Sequence, residues 1–137
     1  MFEIVQDRPG FEEINTLAQD ALAFFEMGKG KRRYVAYNCS AAALLAIEKF
    51  MVKKKWKFEP NANLMYFVHM TGIKYHIDNQ LKSDLLYIGI VADIARRTGK
   101  FTKKDDAWQC LVGLERFLNW VVPQVETTKK NSNIANN

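Results

Sequence analysis

Residues 34–57 read YVAYNCSAAALLAIEKFMVKKKWK, and the fold follows from this stretch. Val35, Cys39, Ala42, Ala46 and Phe50, with Ala43 and Ile47 beside them, recur at three- and four-residue steps, which places them on one face of a helix. Ser40 to Ala46 is built from good helix formers and one small polar residue. Its alanines leave little side-chain bulk, so a neighbouring helix can approach closely. Leu44, Leu45 and Phe50 widen the apolar stripe, so the helix needs partners on more than one side. Lys53, Lys54, Lys55 and Lys57 close it, where positive charge complements the negative end of the helix dipole, a binding patch being the alternative reading.

The flanking segments repeat this logic. A first helix is expected over 10–27, with Phe11, Ile14, Ala18, Ala21 and Phe25 as its apolar face. Residues 1–9 read as an irregular lead-in. Glu12 and Glu13 suit the first turn, and Gly28 and Gly30 stop the helix. The short link predicts that the second helix, 32–56, folds back antiparallel on the first. Pro60, Asn61 and Asn63 break the chain after Trp56. Residues 64–73, LMYFVHMTGI, are apolar enough for a strand but have no second strand to pair with. They are therefore expected to form a short helix ended by Gly72. Helices over 77–98 and 104–122 follow. The first has Asp78 as cap, a Leu81, Leu85, Ile88, Ala92, Ala95 stripe and Gly99 at its end. The second has Ala107, Leu111, Leu114, Leu118 and Val121 inward and a capping box from Thr102 to Asp105, and Pro123 ends it. The sum is an all-α, up-and-down antiparallel four-helix bundle, with an additional short helix across one end. One domain is expected over 1–125, followed by a polar, disordered tail over 126–137.

Composition narrows the function classes. The chain has 137 residues, 48% of them hydrophobic, and a formal net charge of +5, which favours polyanionic partners. No apolar run approaches the roughly 18 residues of a membrane span, so no membrane association is expected. The opening MFEIVQDRPG lacks the pattern of a secretory leader, and Cys39 and Cys110 read as buried reduced thiols of a cytoplasmic protein. His69 and His76 lack ligand spacing, and no Cys pair or Glu-x-x-His completes a set; neither metal nor cofactor is expected. Asp105 and Asp106 point about 100° apart on a helix and read as first-turn acids. Ser40 has no His or Asp at a readable spacing. Gly28 to Lys31 lacks the strand that a phosphate loop requires. Trp56, Trp108 and Trp120 read as core or dimer contacts.

Several motifs together resemble a known family. The first helix ends in Phe-Phe-x-x-Gly, and a basic, aromatic turn follows. The alanine-rich helix carries Ala-Ile-Glu-Lys-Phe and a lysine run. After a Pro-Asn break, one helix ends in Ala-Arg-Arg-Thr-Gly and the last carries Gly-Leu-Glu-Arg-Phe-Leu-Asn-Trp-Val. Over about residues 10–125 this resembles a HEPN domain. The resemblance implies an up-and-down bundle, a homodimer, and one of two roles. One is a metal-independent ribonuclease with an Arg-x(4–6)-His motif. The other is a binding domain without that motif, often beside a nucleotidyltransferase.

The histidine is missing here. Arg96 and Arg97 stand where the family's arginine would be, and the positions for histidine hold Phe101, Thr102, Lys103 and Lys104. Lysine does not replace neutral imidazole as a proton shuttle near neutral pH. A non-catalytic binding or interaction domain is therefore expected, with nucleotide, RNA or a nucleotidyltransferase-type protein as partner. A divergent ribonuclease using Arg96 or Arg97, and a purely structural homodimer, remain as alternatives. Of the 20 Lys and Arg residues, nine fall in two loops: Lys29, Lys31, Arg32 and Arg33, then Arg96, Arg97, Lys100, Lys103 and Lys104. In an up-and-down bundle both loops lie at one end and merge into one basic patch, which reads either as a solvated surface whose charge partly complements the helix dipoles or as a nucleotide- or RNA-binding patch, with Tyr34 and Phe101 flanking it as stacking rings.

Overall fold

The computed structural model describes residues 1–57 and 63–135, and among them every regular element is helical. Five α-helices follow in order: α1 (Glu12–Met27), α2 (Arg32–Lys53), α3 (Leu64–Tyr75), α4 (Asn79–Thr98) and α5 (Lys104–Ala135). Two 3-10 turns, Glu3–Val5 and Lys29–Lys31, precede α1 and α2.

The alanine-rich helix is the centre of the bundle. Val35, Ala36, Cys39, Ala42, Ala43, Ala46, Ile47, Phe50 and Met51 are all buried. α2 packs on α1, α4 and α5, so its small residues serve three neighbours. The expected stripes of α4 and α5 are buried, as are Phe11, Ile14, Ala18 and Ala21 along α1. The Cys39 thiol is pushed well up by burial and then by Cys110. The Cys110 thiol is pushed up to about 12, first by burial and then by the charge of Asp106. Both are free, buried thiols.

Helix ends follow local chemistry. Gly28 (φ 99°) closes α1. Gly99 (φ 63°) closes α4 in the left-handed region, its N–H donating to the Ala95 carbonyl at 3.1 Å. The Asp78 carboxylate accepts from the Gln80 N–H at 2.7 Å, and the Asn63 side chain accepts from the Tyr66 N–H at 2.9 Å.

Five expectations change. α3 does not lie across an end. Leu64 and Met65 stand beside Gly89, in the middle of α4, while Val68, His69 and Ile73 share a small cavity with Lys82 and Leu86. α3 therefore runs back alongside the first half of α4, and the up-and-down order of the long helices survives. It also continues past Gly72 to Tyr75, because His76 (φ 52°) supplies the left-handed C-cap. Pro123 does not end α5, which runs through it to Ala135. The expected disorder of 126–137 concerns residues whose side chains, from Thr127 onward, lie outside those described; so does the break at Pro60 and Asn61. The Thr102 hydroxyl is buried without a partner, so the expected capping box does not form. Finally, residues 29–53 are long and apolar enough to cross a membrane by length and composition, contrary to the sequence reading. Half of that apolar window is buried against the other helices, which is the pattern of a bundle's core helix.

The lead-in is docked rather than loose. Phe2 and Val5 are fully buried, and the Phe2 N–H donates to Glu115 of α5 at 3.0 Å. Arg8 forks onto Glu126 at 2.7 and 2.8 Å. Between α4 and α5, the buried Asp84 accepts from the Arg116 Nε and NH2 groups, both at 2.8 Å, and from Gln80 at 3.0 Å. Gly113 makes room for it: a Cβ there would lie 3.1 Å from the Cβ of Asp84.

Candidate nucleic-acid interface

The two basic loops come together at one end of the bundle. The Lys29 ammonium lies 5.5 Å from the centroid of the Phe101 ring, joining the α1–α2 turn to the α4–α5 link. One turn inward, Phe25 of α1 and Trp108 of α5 meet at 5.5 Å. At the opposite end Lys49 lies over Phe11, and Arg8 pairs with Glu126. Lys53, at the end of α2, lines a cleft of about 830 Å³ there together with Arg8, Phe11 and Val125.

Lys29, Lys31, Arg96, Arg97, Lys100, Lys103 and Lys104 are exposed, and Arg32, Arg33 and Tyr34 are half-buried. Among the described residues, Arg97 alone of the nine cations pairs with a carboxylate, Asp93 at 2.9 Å on the previous turn of α4. The Nε atoms of Arg32 and Arg33 are shut off from solvent with no hydrogen-bond partner. The first turn of α2 carries no acid, and no side chain caps it. The C-termini of α1 and α4 lie at this same end, so helix dipoles partly cancel there and side-chain charge decides the sign of the field.

The rings at this end differ in their surroundings. Tyr34 is already engaged: Phe24 lies 5.4 Å and Tyr37 5.9 Å from it, with the Arg33 guanidinium at 5.0 Å and Lys31 at 5.4 Å from its centroid. Arg33 also donates to the Tyr34 hydroxyl at 3.2 Å. Tyr34 is thus half-buried among two ring neighbours and two cations. Phe101 is 62% exposed and Trp108 is 42% exposed. Trp108 was readable, since it lies one residue off the inward Ala107, Leu111, Leu114 stripe. Trp120, by contrast, packs on Phe50 at 5.4 Å and on Phe117 at 6.2 Å.

The candidate acids and histidines lie apart from a shared centre. Asp106 accepts from the Tyr87 hydroxyl at 2.6 Å, while Asp105 is exposed. Burial first, and Asp106 second, push the Tyr87 phenol well up. His69 lies on α3 and His76 caps it, on the side of the bundle where α4 begins. Among the described residues no group of three or more His, Cys, Asp or Glu is arranged to hold a metal ion.

Comparison with protein-family models, with curated proteins and with solved structures gives no match.

Proposed function

We propose that this chain is a non-catalytic, HEPN-like binding and interaction domain whose basic end takes a phosphate-bearing partner: a nucleotide, an RNA, or a nucleotidyltransferase-type protein through its bound nucleotide. The contact of Lys29 with Phe101 carries the reading, because it makes one surface of two loops that are 72 residues apart in sequence. Eight of the nine cations on that surface lack a carboxylate among the described residues, so a ligand's phosphates meet no internal competitor. The non-catalytic part of the reading rests on the chemistry around Arg96 and Arg97. No imidazole shares their loop, and both histidines belong to α3 and its cap.

The proposal includes a cytoplasmic setting, in keeping with the free thiols, and self-association. Met65 and Ile73 on α3 and Ile90 and Ile94 on α4 are exposed apolar side chains, on two helices that pack against each other. The direct test is binding of a mixed RNA and of ATP at low salt, comparing wild type with the Arg32→Ala/Arg33→Ala/Arg96→Ala/Arg97→Ala variant. Loss of binding in the variant is expected. Equal binding by both proteins, or none by either, overturns the polyanion reading. Cleavage of the RNA by wild type but not by the variant would make the chain a nuclease instead.

A further inference from the structure

From the placement of Phe101 and Trp108 we infer that the ligand at the basic end is a single-stranded nucleic acid, held by stacking of unpaired bases on these two rings. This rests on the polyanion reading above and specifies its substrate class. Both rings lean on the same short stretch of α1 and its turn. Trp108 meets Phe25, and Phe101 meets Lys29. Between those two residues in sequence, Met27 is 63% exposed and Glu26 beside it is exposed as well, so this stretch of α1 is open to solvent. Aromatic rings left in water at a charged surface offer faces on which a base can stack.

The charges are interleaved with the rings. Lys104 lies four residues before Trp108 on α5, hence on the same helical face one turn away. Lys100 and Lys103 flank Phe101 in the link. Aromatic faces alternating with cations are the physical signature of a single-strand platform: bases stack on the rings while lysines follow the backbone. A duplex hides its base faces and could use only the cations. A mononucleotide could use one ring but not both. A non-aromatic polyanion gains nothing from either. Two exposed acids border this track, Glu26 between Phe25 and Met27 and Asp105 at the start of α5, neither in an ion pair among the described residues; their charge repels the strand, so Glu26→Gln and Asp105→Asn should each tighten binding.

The test uses the full chain, with fluorescence anisotropy of labelled oligo(dT) of about ten nucleotides, the span of such sites. A duplex of the same length and a polyphosphate of matched charge compete against it. The expected result is that oligo(dT) binds tightest. Phe101→Ala and Trp108→Ala should each weaken it by about fivefold to about a hundredfold, with polyphosphate binding unchanged and Phe101→Tyr restoring affinity. Circular dichroism and melting confirm that each variant is folded. Polyphosphate or duplex binding as tight as the single strand, with neither ring variant changing any affinity, overturns the stacking inference and leaves the polyanion reading standing. Failure of all three probes to bind overturns both.

Discussion

Asp84 and Arg116 form one ion pair but should not be equally costly to lose. The Asp84 side chain is 8% exposed and that of Arg116 is 44% exposed. Arg116→Ala strands a nearly buried carboxylate, and only Gln80 still donates to it. Removing one partner of a buried pair costs about 3–5 kcal/mol, and Gln80 keeps the loss near the lower bound, roughly 3 kcal/mol. Asp84→Ala instead releases a guanidinium that water can reach. Its two charge-assisted bonds, worth about 1.5–3 kcal/mol when buried, are discounted for that exposure to roughly 1–1.5 kcal/mol. Urea unfolding should therefore rank Arg116→Ala below Asp84→Ala by about 1.5 kcal/mol, roughly tenfold in the unfolding constant. An equal loss, or a larger one for Asp84→Ala, refutes the reasoning that exposure of the surviving partner sets the cost.

Three further outcomes follow from other contacts. Gly113→Ala should destabilise by about 1 kcal/mol in thermal unfolding, because the 3.1 Å approach to Asp84 outweighs the gain of roughly 1 kcal/mol in helix propensity; a raised melting temperature would show that the neighbour yields freely. Tyr87→Phe should cost about 1 kcal/mol at neutral pH. Since the phenol of Tyr87 is raised in the folded state, its contribution is complete below its ordinary value near 10 and fades as pH climbs beyond it. Wild type and Tyr87→Phe should thus converge in stability on titration into strong alkali, and divergence there counts against the hydrogen bond. Phe2→Ala should cost about 3–5 kcal/mol in urea unfolding, as for any fully buried aromatic ring, whereas a loose lead-in would tolerate it.

The core was legible because each helix writes its inward face at a single period. Val35 to Phe50, Leu81 to Ala95 and Ala107 to Val121 needed no tertiary knowledge. The merging of the two basic loops followed from helix order alone. What escaped was set by partners distant in sequence. Asp84 reads as a surface acid until Arg116 and Gly113 come beside it. Phe2 and Val5 look like an unstructured start until α5 offers them a surface. Pro123 breaks a helix locally, yet α5 carries it at full length. The surroundings of Tyr34 and Trp108 were hidden for the same reason. A ring's free face depends on which neighbours, here Phe24 and Tyr37, reach it first.

The measurement closest to the central claim is the salt dependence of oligonucleotide affinity. For single strands the logarithmic slope is about −0.7 per phosphate contact. Wild type should show a slope of about −3 or steeper, set by at least four contacts. Arg32→Ala/Arg33→Ala/Arg96→Ala/Arg97→Ala should flatten it by about 0.7 for each arginine that touches a phosphate, and Lys53→Ala/Lys55→Ala/Lys57→Ala, at the far end, should leave it unchanged. A slope near zero in wild type, or one that responds to the far-end lysines and not to the arginines, contradicts a phosphate-binding surface at the junction of Lys29 and Phe101.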